Sequence, residues 1–167
     1  MTKITFKGNP VTVTGSEVKV GDQAPDFTVL SNDLKPVTLA DTKGKVRLIS
    51  VVPSLDTGVC AAQTHRFNEE AAGLGDDVSI LTVSVDLPFA QARWCGAEGI
   101  DAVQTLSDHK DLSFGKAYGI VIKELRLLAR SIFVIDKDDK VTYVEYVPEV
   151  TDHPNYEKAI EAVKEAL

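Results

Sequence analysis

Cys60 and Cys95 are the two thiols in a chain of 167 residues, and what each can do depends on where it falls. Cys60 lies in Val51-Val52-Pro53-Ser54-Leu55-Asp56-Thr57-Gly58-Val59-Cys60-Ala61-Ala62, where an apolar strand ends, turns and becomes a helix. In the first helical turn, unpaired backbone N–H groups and the positive end of the helix dipole favour an anion, so a thiol there is expected to act as a thiolate nucleophile. The plainer alternative is a buried, inert cysteine filling a hole at the junction. A position beyond a central strand favours the reactive reading, because α/β sites form at the carboxyl ends of strands. Thr57, one turn earlier, offers a hydroxyl that can donate to or accept from a bound oxygen, or simply cap the helix. Thr57 and Gln63 also occupy the places where a vicinal dithiol would carry its second cysteine, so that arrangement is absent.

Other chemistries find less support. A Cys–His hydrolase needs an imidazole beside the sulfur, yet His65 points away from the Cys60 face of the same predicted helix, and His109 and His153 fall in predicted loops. The cysteines and histidines show no zinc-ligand spacing, and Gly73-Leu74-Gly75 lacks the third glycine of a dinucleotide loop because Val78 stands there. No metal and no cofactor are therefore implied.

The elements that must position these residues follow from periodicity and punctuation. Lys3 to Phe6 and Val11 to Thr14, joined by Lys7-Gly8-Asn9-Pro10, predict an N-terminal β-hairpin. An extended segment surrounds Asp26 to Leu30. The near-continuous apolar runs Val46 to Val52 and Val78 to Val85 predict central parallel strands covered on both faces. Gly58 to Ala72, closed by Gly73, is the helix between them. Pro88 opens a short helix through Trp94, with Cys95 at its end, before Gly96-Ala97-Glu98-Gly99. Asp111 to Tyr118 predicts a third helix. Ser131 to Ile135 and Val141 to Val147 flank the polar turn Asp136 to Lys140 as an antiparallel hairpin, and Asn155 to Leu167 forms a closing helix after Pro154. This order resembles a thioredoxin-like α/β fold: a mixed central sheet flanked by helices, with an N-terminal β-hairpin, in one domain spanning residues 1–167.

Composition agrees with that architecture and narrows the partners. At 44% hydrophobic and 26% charged the chain reads as globular, and its length allows burial of roughly 70% of the unfolded surface without a disulfide or metal. A net charge of −7 offers no footprint for nucleic acid or for an anionic membrane surface. No run is long and apolar enough to span a bilayer, and the start lacks the pattern of a secretory signal, so a cytoplasmic protein is expected. In a reducing compartment a permanent staple between the two cysteines is not expected.

At this point the residues carry a family resemblance. Pro53-x-x-x-Thr57-x-x-Cys60 resembles the peroxiredoxin motif, and Gly21-Asp22-Gln23-Ala24-Pro25-Asp26-Phe27 resembles the segment that opens the peroxiredoxin core. Asp56-Thr57-Gly58-Val59-Cys60, Asp86-Leu87-Pro88-Phe89-Ala90-Gln91 and Cys95-Gly96-Ala97-Glu98-Gly99 are similar to the bacterial thiol peroxidase branch, the atypical 2-Cys peroxiredoxins, as is the N-terminal hairpin. The resemblance spans nearly the whole chain. It implies an antioxidant enzyme, a peroxidase that reduces hydrogen peroxide and organic hydroperoxides to water and alcohols. Cys60 would be the peroxidatic nucleophile and Cys95 the resolving thiol of a transient Cys60–Cys95 disulfide; thioredoxin would be the electron donor, and a homodimer the assembly.

Peroxide reduction leaves negative charge on an oxygen, which calls for a fixed cation. Arg47, Arg66, Arg93, Arg126 and Arg130 are available, and physical reasoning alone does not separate Arg126 from Arg130. The resemblance selects Arg130, at the opening of the strand Ser131 to Ile135, and gives Pro53 the role of shielding the thiol. Closing the disulfide requires Cα atoms roughly 4.4 to 6.8 Å apart, so local unwinding near Gly96 and Gly99 is expected. Phe27, Phe89, Trp94 and Phe114 are candidates for an apolar wall facing organic peroxides, or alternatively core residues. A thiol–disulfide oxidoreductase, or a redox sensor without turnover, on the same fold are the alternative functions.

Overall fold

The structure is a computed structural model, and it describes residues 3–167. At its centre three parallel strands, β6 (Val46–Val51), β7 (Val78–Ser84) and β8 (Gln104–Ser107), lie side by side. Antiparallel β11 (Ser131–Ile135) and β12 (Val141–Tyr146) extend the sheet beyond β6, while β4 (Thr28–Leu30) and β5 (Pro36–Thr38) extend it beyond β8. The resulting seven-stranded order is β12-β11-β6-β7-β8-β4-β5. Every residue of β6 and of β11 is buried, as expected of strands covered on both faces.

Alternation along the strands divides the core in two. Val46, Leu48, Ile80, Ile132 and Val134 pack beneath α1 (Gly58–Ala71), α2 (Pro88–Glu98) and α4 (Tyr156–Ala166) through Phe67, Trp94, Ile160 and Val163. Ile49, Val51, Val83, Leu106 and Phe133 face the other way, toward Phe27 and toward Phe114 and Tyr118 of α3 (Ser113–Tyr118). Asn155 caps α4, its Oδ1 accepting the Lys158 N–H at 3.0 Å. No described helix is long and apolar enough to cross a membrane.

Three local expectations change. The N-terminal hairpin is tighter than the sequence reading: β1 (Ile4–Phe6) pairs with β2 (Asn9–Val11) around the two-residue turn Lys7-Gly8, whose φ values of 53° and 80° suit a primed hairpin turn. Pro10 sits in β2 rather than in the turn, tolerable in so short an edge strand. Val13–Thr14 forms a separate β3, paired with β9 (Val121–Ile122), which also pairs with β10 (Leu127–Leu128). Helix α2 does not end at Trp94. Gly96, Ala97 and Glu98 continue it, and it stops at Gly99 in the left-handed region, φ 68°, where the Gly99 and Ile100 N–H groups both donate to the Cys95 carbonyl. Helix α3 starts two residues later than predicted. Asp108 organises that start, its carboxylate accepting the N–H groups of Phe114 at 3.0 Å and Gly115 at 2.8 Å.

Candidate active site

Strand β6 delivers the chain to Val52 and Pro53, and the loop Ser54 to Asp56 turns it into α1. Thr57 is the N-cap residue, extended at φ −105° and ψ 151°, but its hydroxyl does not cap the helix; Oγ1 donates to the Ser54 carbonyl at 3.1 Å. Cys60, in the first turn of α1, is fully buried against Val52, Leu55 and Trp94.

Arg130 reaches the same point from β10–β11, seventy residues away in sequence. It is buried, and its guanidinium serves three acceptors: Nη2 donates to Cys60 Sγ at 3.1 Å, Nη1 to Gln63 Oε1 at 2.8 Å and Nε to the Val150 carbonyl at 2.7 Å. Gln63, one turn beyond Cys60 and equally buried, donates from Nε2 to Ser50 Oγ at 2.7 Å. The guanidinium fork is thereby fixed on both sides. Among the described residues it makes no ion pair with a carboxylate.

Above this group opens a cleft of about 370 Å³ lined by Pro53, Thr57, Val59, Arg130 and Val150, with Phe6 and Leu127 on its walls. Phe6 comes from β1, which is fastened over the cleft by Glu149. That carboxylate accepts from Thr5 Oγ1 at 2.8 Å, Gly8 N at 2.8 Å, Lys7 N at 3.1 Å, and both the N–H and hydroxyl of Thr151 at 2.8 and 2.7 Å. These bonds, led by those to Thr151, hold the Glu149 carboxyl well below the ordinary carboxylate range.

The second thiol stands apart from the guanidinium. Cys95 is half-buried on α2, packed with Trp94 above the β6–β7 face, and its Sγ lies 3.7 Å from Thr105 Oγ1, which donates to Asn32 Oδ1 at 3.0 Å. Burial pushes the Cys95 thiol up, against a smaller opposite effect of Thr105. Both cysteines are free thiols.

The chain is similar to known proteins in both sequence and fold. Residues 19–160 match the Redoxin family. The thiol peroxidase of Halalkalibacterium halodurans is 72% identical over 167 residues, the whole of both chains, and that of Bacillus subtilis is 71% identical over 164 residues, 98% of each. A solved peroxiredoxin-like protein from Aquifex aeolicus superimposes with a TM-score of 0.93 at 44% identity, covering 100% of this chain and 98% of the other. The chain belongs to the Redoxin family. Within it, the similarity lies with the thiol peroxidase branch of the peroxiredoxins, and the thioredoxin-like α/β architecture is the family's own.

The other residues that the sequence singled out fall into place around this site. None of Phe27, Phe89, Trp94 and Phe114 lines the cleft. Phe27 and Phe114 are core residues that meet edge to face with centroids 5.2 Å apart, Phe89 is 65% exposed on α2, and the partly buried Trp94 packs against Cys60. Phe6, Val59, Leu127 and Val150 supply the apolar wall instead. Arg126 is separated from Arg130 by geometry: its Nη2 donates to the His109 carbonyl, away from the sulfur. His65 pairs with Glu98 at 3.0 Å on the surface, and His153 with the Tyr156 hydroxyl. Among the described residues no three His, Cys, Asp or Glu side chains gather to hold a metal ion.

Gln63, Phe6, Glu149 and the Val150 carbonyl stand around the guanidinium and the cleft, and the sequence reading assigns none of them a place there. Gln63 carries a legible signal, an uncharged polar residue on the Cys60 face of a helix that packs on a buried strand. The others have none, because their roles come from contacts made across the whole chain.

Proposed function

We propose that the chain is a thiol-specific peroxidase that reduces hydrogen peroxide and organic hydroperoxides to water and alcohols through Cys60, with Cys95 resolving the product and thioredoxin restoring both thiols. The observation that carries this reading is the Arg130 Nη2 to Cys60 Sγ contact of 3.1 Å, made by an arginine that with Thr57 lines the adjoining cleft.

In the first step the Cys60 thiolate attacks the nearer peroxide oxygen. The S–O bond forms as the O–O bond breaks, Cys60 is oxidised to a sulfenic acid, and the other oxygen leaves as water or an alcohol after taking a proton. Negative charge moves from sulfur to the departing oxygen, so a cation fixed by Gln63 and Val150 stabilises the transition state without reorganising. Thr57 supplies a hydroxyl at the mouth that orients the peroxide, and Pro53 keeps bulk water off the sulfur. The apolar wall of Phe6, Leu127 and Val150 accepts the organic group of an alkyl hydroperoxide.

In the second step the Cys95 thiolate attacks the sulfenic sulfur, the S–O bond breaks, the hydroxide takes a proton to leave as water, and an intramolecular disulfide forms. Cys95 must leave its contact with Thr105, and its carbonyl must release Gly99 and Ile100, so the last turns of α2 open. Gly96 inside the helix and the left-handed Gly99 make that end the inexpensive place to do so. A thioredoxin dithiol then attacks the disulfide and takes over the oxidation. The chain acts as one domain, in the cytoplasm and as a homodimer.

Intact-mass measurement after one equivalent of peroxide tests the scheme. A loss of about two mass units without dimer formation is expected, from the two hydrogens lost on disulfide formation. Cys60→Ser abolishes peroxide consumption, whereas Cys95→Ser consumes one equivalent and stalls. Sustained turnover by Cys60→Ser with thioredoxin would remove Cys60 from the role of nucleophile.

A further inference from the structure

Asp86 lies in the link between β7 and α2, outside the cleft, yet its carboxylate gathers the loop that leads to Thr57 and Cys60. Oδ1 accepts the Ser54 hydroxyl at 2.7 Å; Oδ2 accepts the Leu55 N–H at 2.8 Å and the Ser84 hydroxyl at 2.7 Å. Its backbone carbonyl accepts the Ser107 hydroxyl from β8. Ser84 Oγ in turn accepts from Nε2 of the buried Gln91, which stands one turn before Cys95 on α2. A single carboxylate therefore joins the loop before the first cysteine to the helix that carries the second.

We propose that Asp86 is a positioning residue for the peroxide. Thr57 Oγ1 donates to the Ser54 carbonyl, and Asp86 accepts the Leu55 N–H of the same peptide, so the peptide that Asp86 holds is the one on which the Thr57 hydroxyl is set. Three donors converge on the carboxylate, and an ionised carboxylate accepts all three in strong, charge-assisted bonds. An amide in its place turns an NH2 group toward at least one of those donors. Release of the loop moves Thr57 against Cys60, and a displacement of about 1 Å in a reacting pair costs up to about a hundredfold in rate. The thiol itself stays under Arg130, whose bonds to Gln63 and Val150 do not pass through Asp86.

The proposal rests on Cys60 being the attacking thiol, and the test separates the two. Trp94, the one tryptophan of the sequence, packs against Cys60, so its fluorescence is the expected readout of Cys60 oxidation. In a Cys95→Ser background, stopped-flow mixing with hydrogen peroxide gives the rate of the first step, and iodoacetamide gives the rate of alkylation of the same sulfur without any need for peroxide alignment. Asp86→Asn is expected to slow the peroxide reaction by about ten- to a hundredfold while alkylation stays within about twofold. Ser54→Ala is expected to slow it by a smaller factor, and the double variant to be no slower than Asp86→Asn alone, because both substitutions break one connection. Should Asp86→Asn fail to fold, Ser54→Ala decides the matter by the same pair of rates. A peroxide rate within about twofold of the parent overturns the proposal, as do peroxide and alkylation rates that fall together, the mark of a merely structural role. Turnover surviving Cys60→Ser overturns the reading of Cys60 and this proposal with it; a dead Cys60→Ser beside an unimpaired Asp86→Asn overturns the proposal alone.

Discussion

Replacing Arg130 by methionine keeps a long, unbranched side chain and removes the cation 3.1 Å from the Cys60 sulfur. At that distance a unit charge pair in an effective dielectric of about 20 interacts by about 5 kcal/mol, an upper bound because desolvation opposes it. Loss of one preorganised donor to a developing oxyanion costs about 3 to 4 kcal/mol, that is, about 10²- to 10³-fold in rate. The second-order rate constant for peroxide, read from Trp94 fluorescence in a single turnover, is expected to fall by that factor. Two buried acceptors, Gln63 Oε1 and the Val150 carbonyl, also lose their donor, which costs stability by about 1 to 3 kcal/mol each unless they find new partners. Chemical denaturation monitors that separately, and the kinetics are taken where the variant is folded. Arg130→Lys retains the charge but cannot serve three divergent acceptors, so it should fall between the two. A loss of less than tenfold in the methionine variant would refute the assignment of Arg130 to the transition state and leave it a structural bridge between α1, β11 and the β12–α4 loop.

Three further outcomes follow from other parts of the molecule. Phe6→Ala opens the cleft wall and is expected to lower kcat/KM for cumene hydroperoxide by about fivefold or more, roughly 1 kcal/mol of lost apolar contact, with hydrogen peroxide unaffected; equal losses on both substrates would exclude Phe6 as a contact for the organic group. Burial raises the Asp108 carboxyl to about 6, so between about pH 4 and 6 the folded chain holds a proton there that the unfolded chain lacks. The contribution of this group is complete below about pH 4 and is lost as the pH rises through 6, by about 3 kcal/mol in all. Urea midpoints across pH 4 to 7 should show it as a changing difference between the parent and Asp108→Asn, and a flat difference would contradict it. Glu149 has the opposite sign: its carboxyl is depressed, so its stabilisation is present above the ordinary carboxylate range and disappears as the pH falls through the lower folded value. Amide exchange at Lys7 and Gly8 should quicken in Glu149→Gln near neutral pH, and unchanged protection would mean that the hairpin is held over the cleft by other contacts.

The central strands, α1, the closing hairpin β11–β12 and α4 are legible in the sequence because their causes are local. An apolar run, a helix cap or a polar turn acts within a few residues of itself. The same holds for Cys60, whose place at a strand-to-helix junction follows from its own neighbours. The short, polar β8 gives no such signal, since Gln104–Ser107 becomes a strand only by lying beside β7. Helix α2 runs past Cys95 because Gly96, a poor helix former, is followed by residues that continue the turn to Gly99, so a lone glycine proves a weaker stop than a left-handed one.

What the sequence by itself determined is the thiol, the element that presents it and the sheet behind it. Which arginine faces that thiol was open to local physical reasoning and was picked out only by the family resemblance, while the wall of the cleft and the carboxylate that steadies its loop were decided by tertiary structure alone. Arg130 meets Cys60 across seventy residues, Glu149 reaches Gly8 across 141, and Asp86 reaches Leu55 across 31. Hydrogen bonds of this kind are satisfied by whatever donor the folded backbone brings within about 3 Å, and no periodicity or local propensity encodes that encounter.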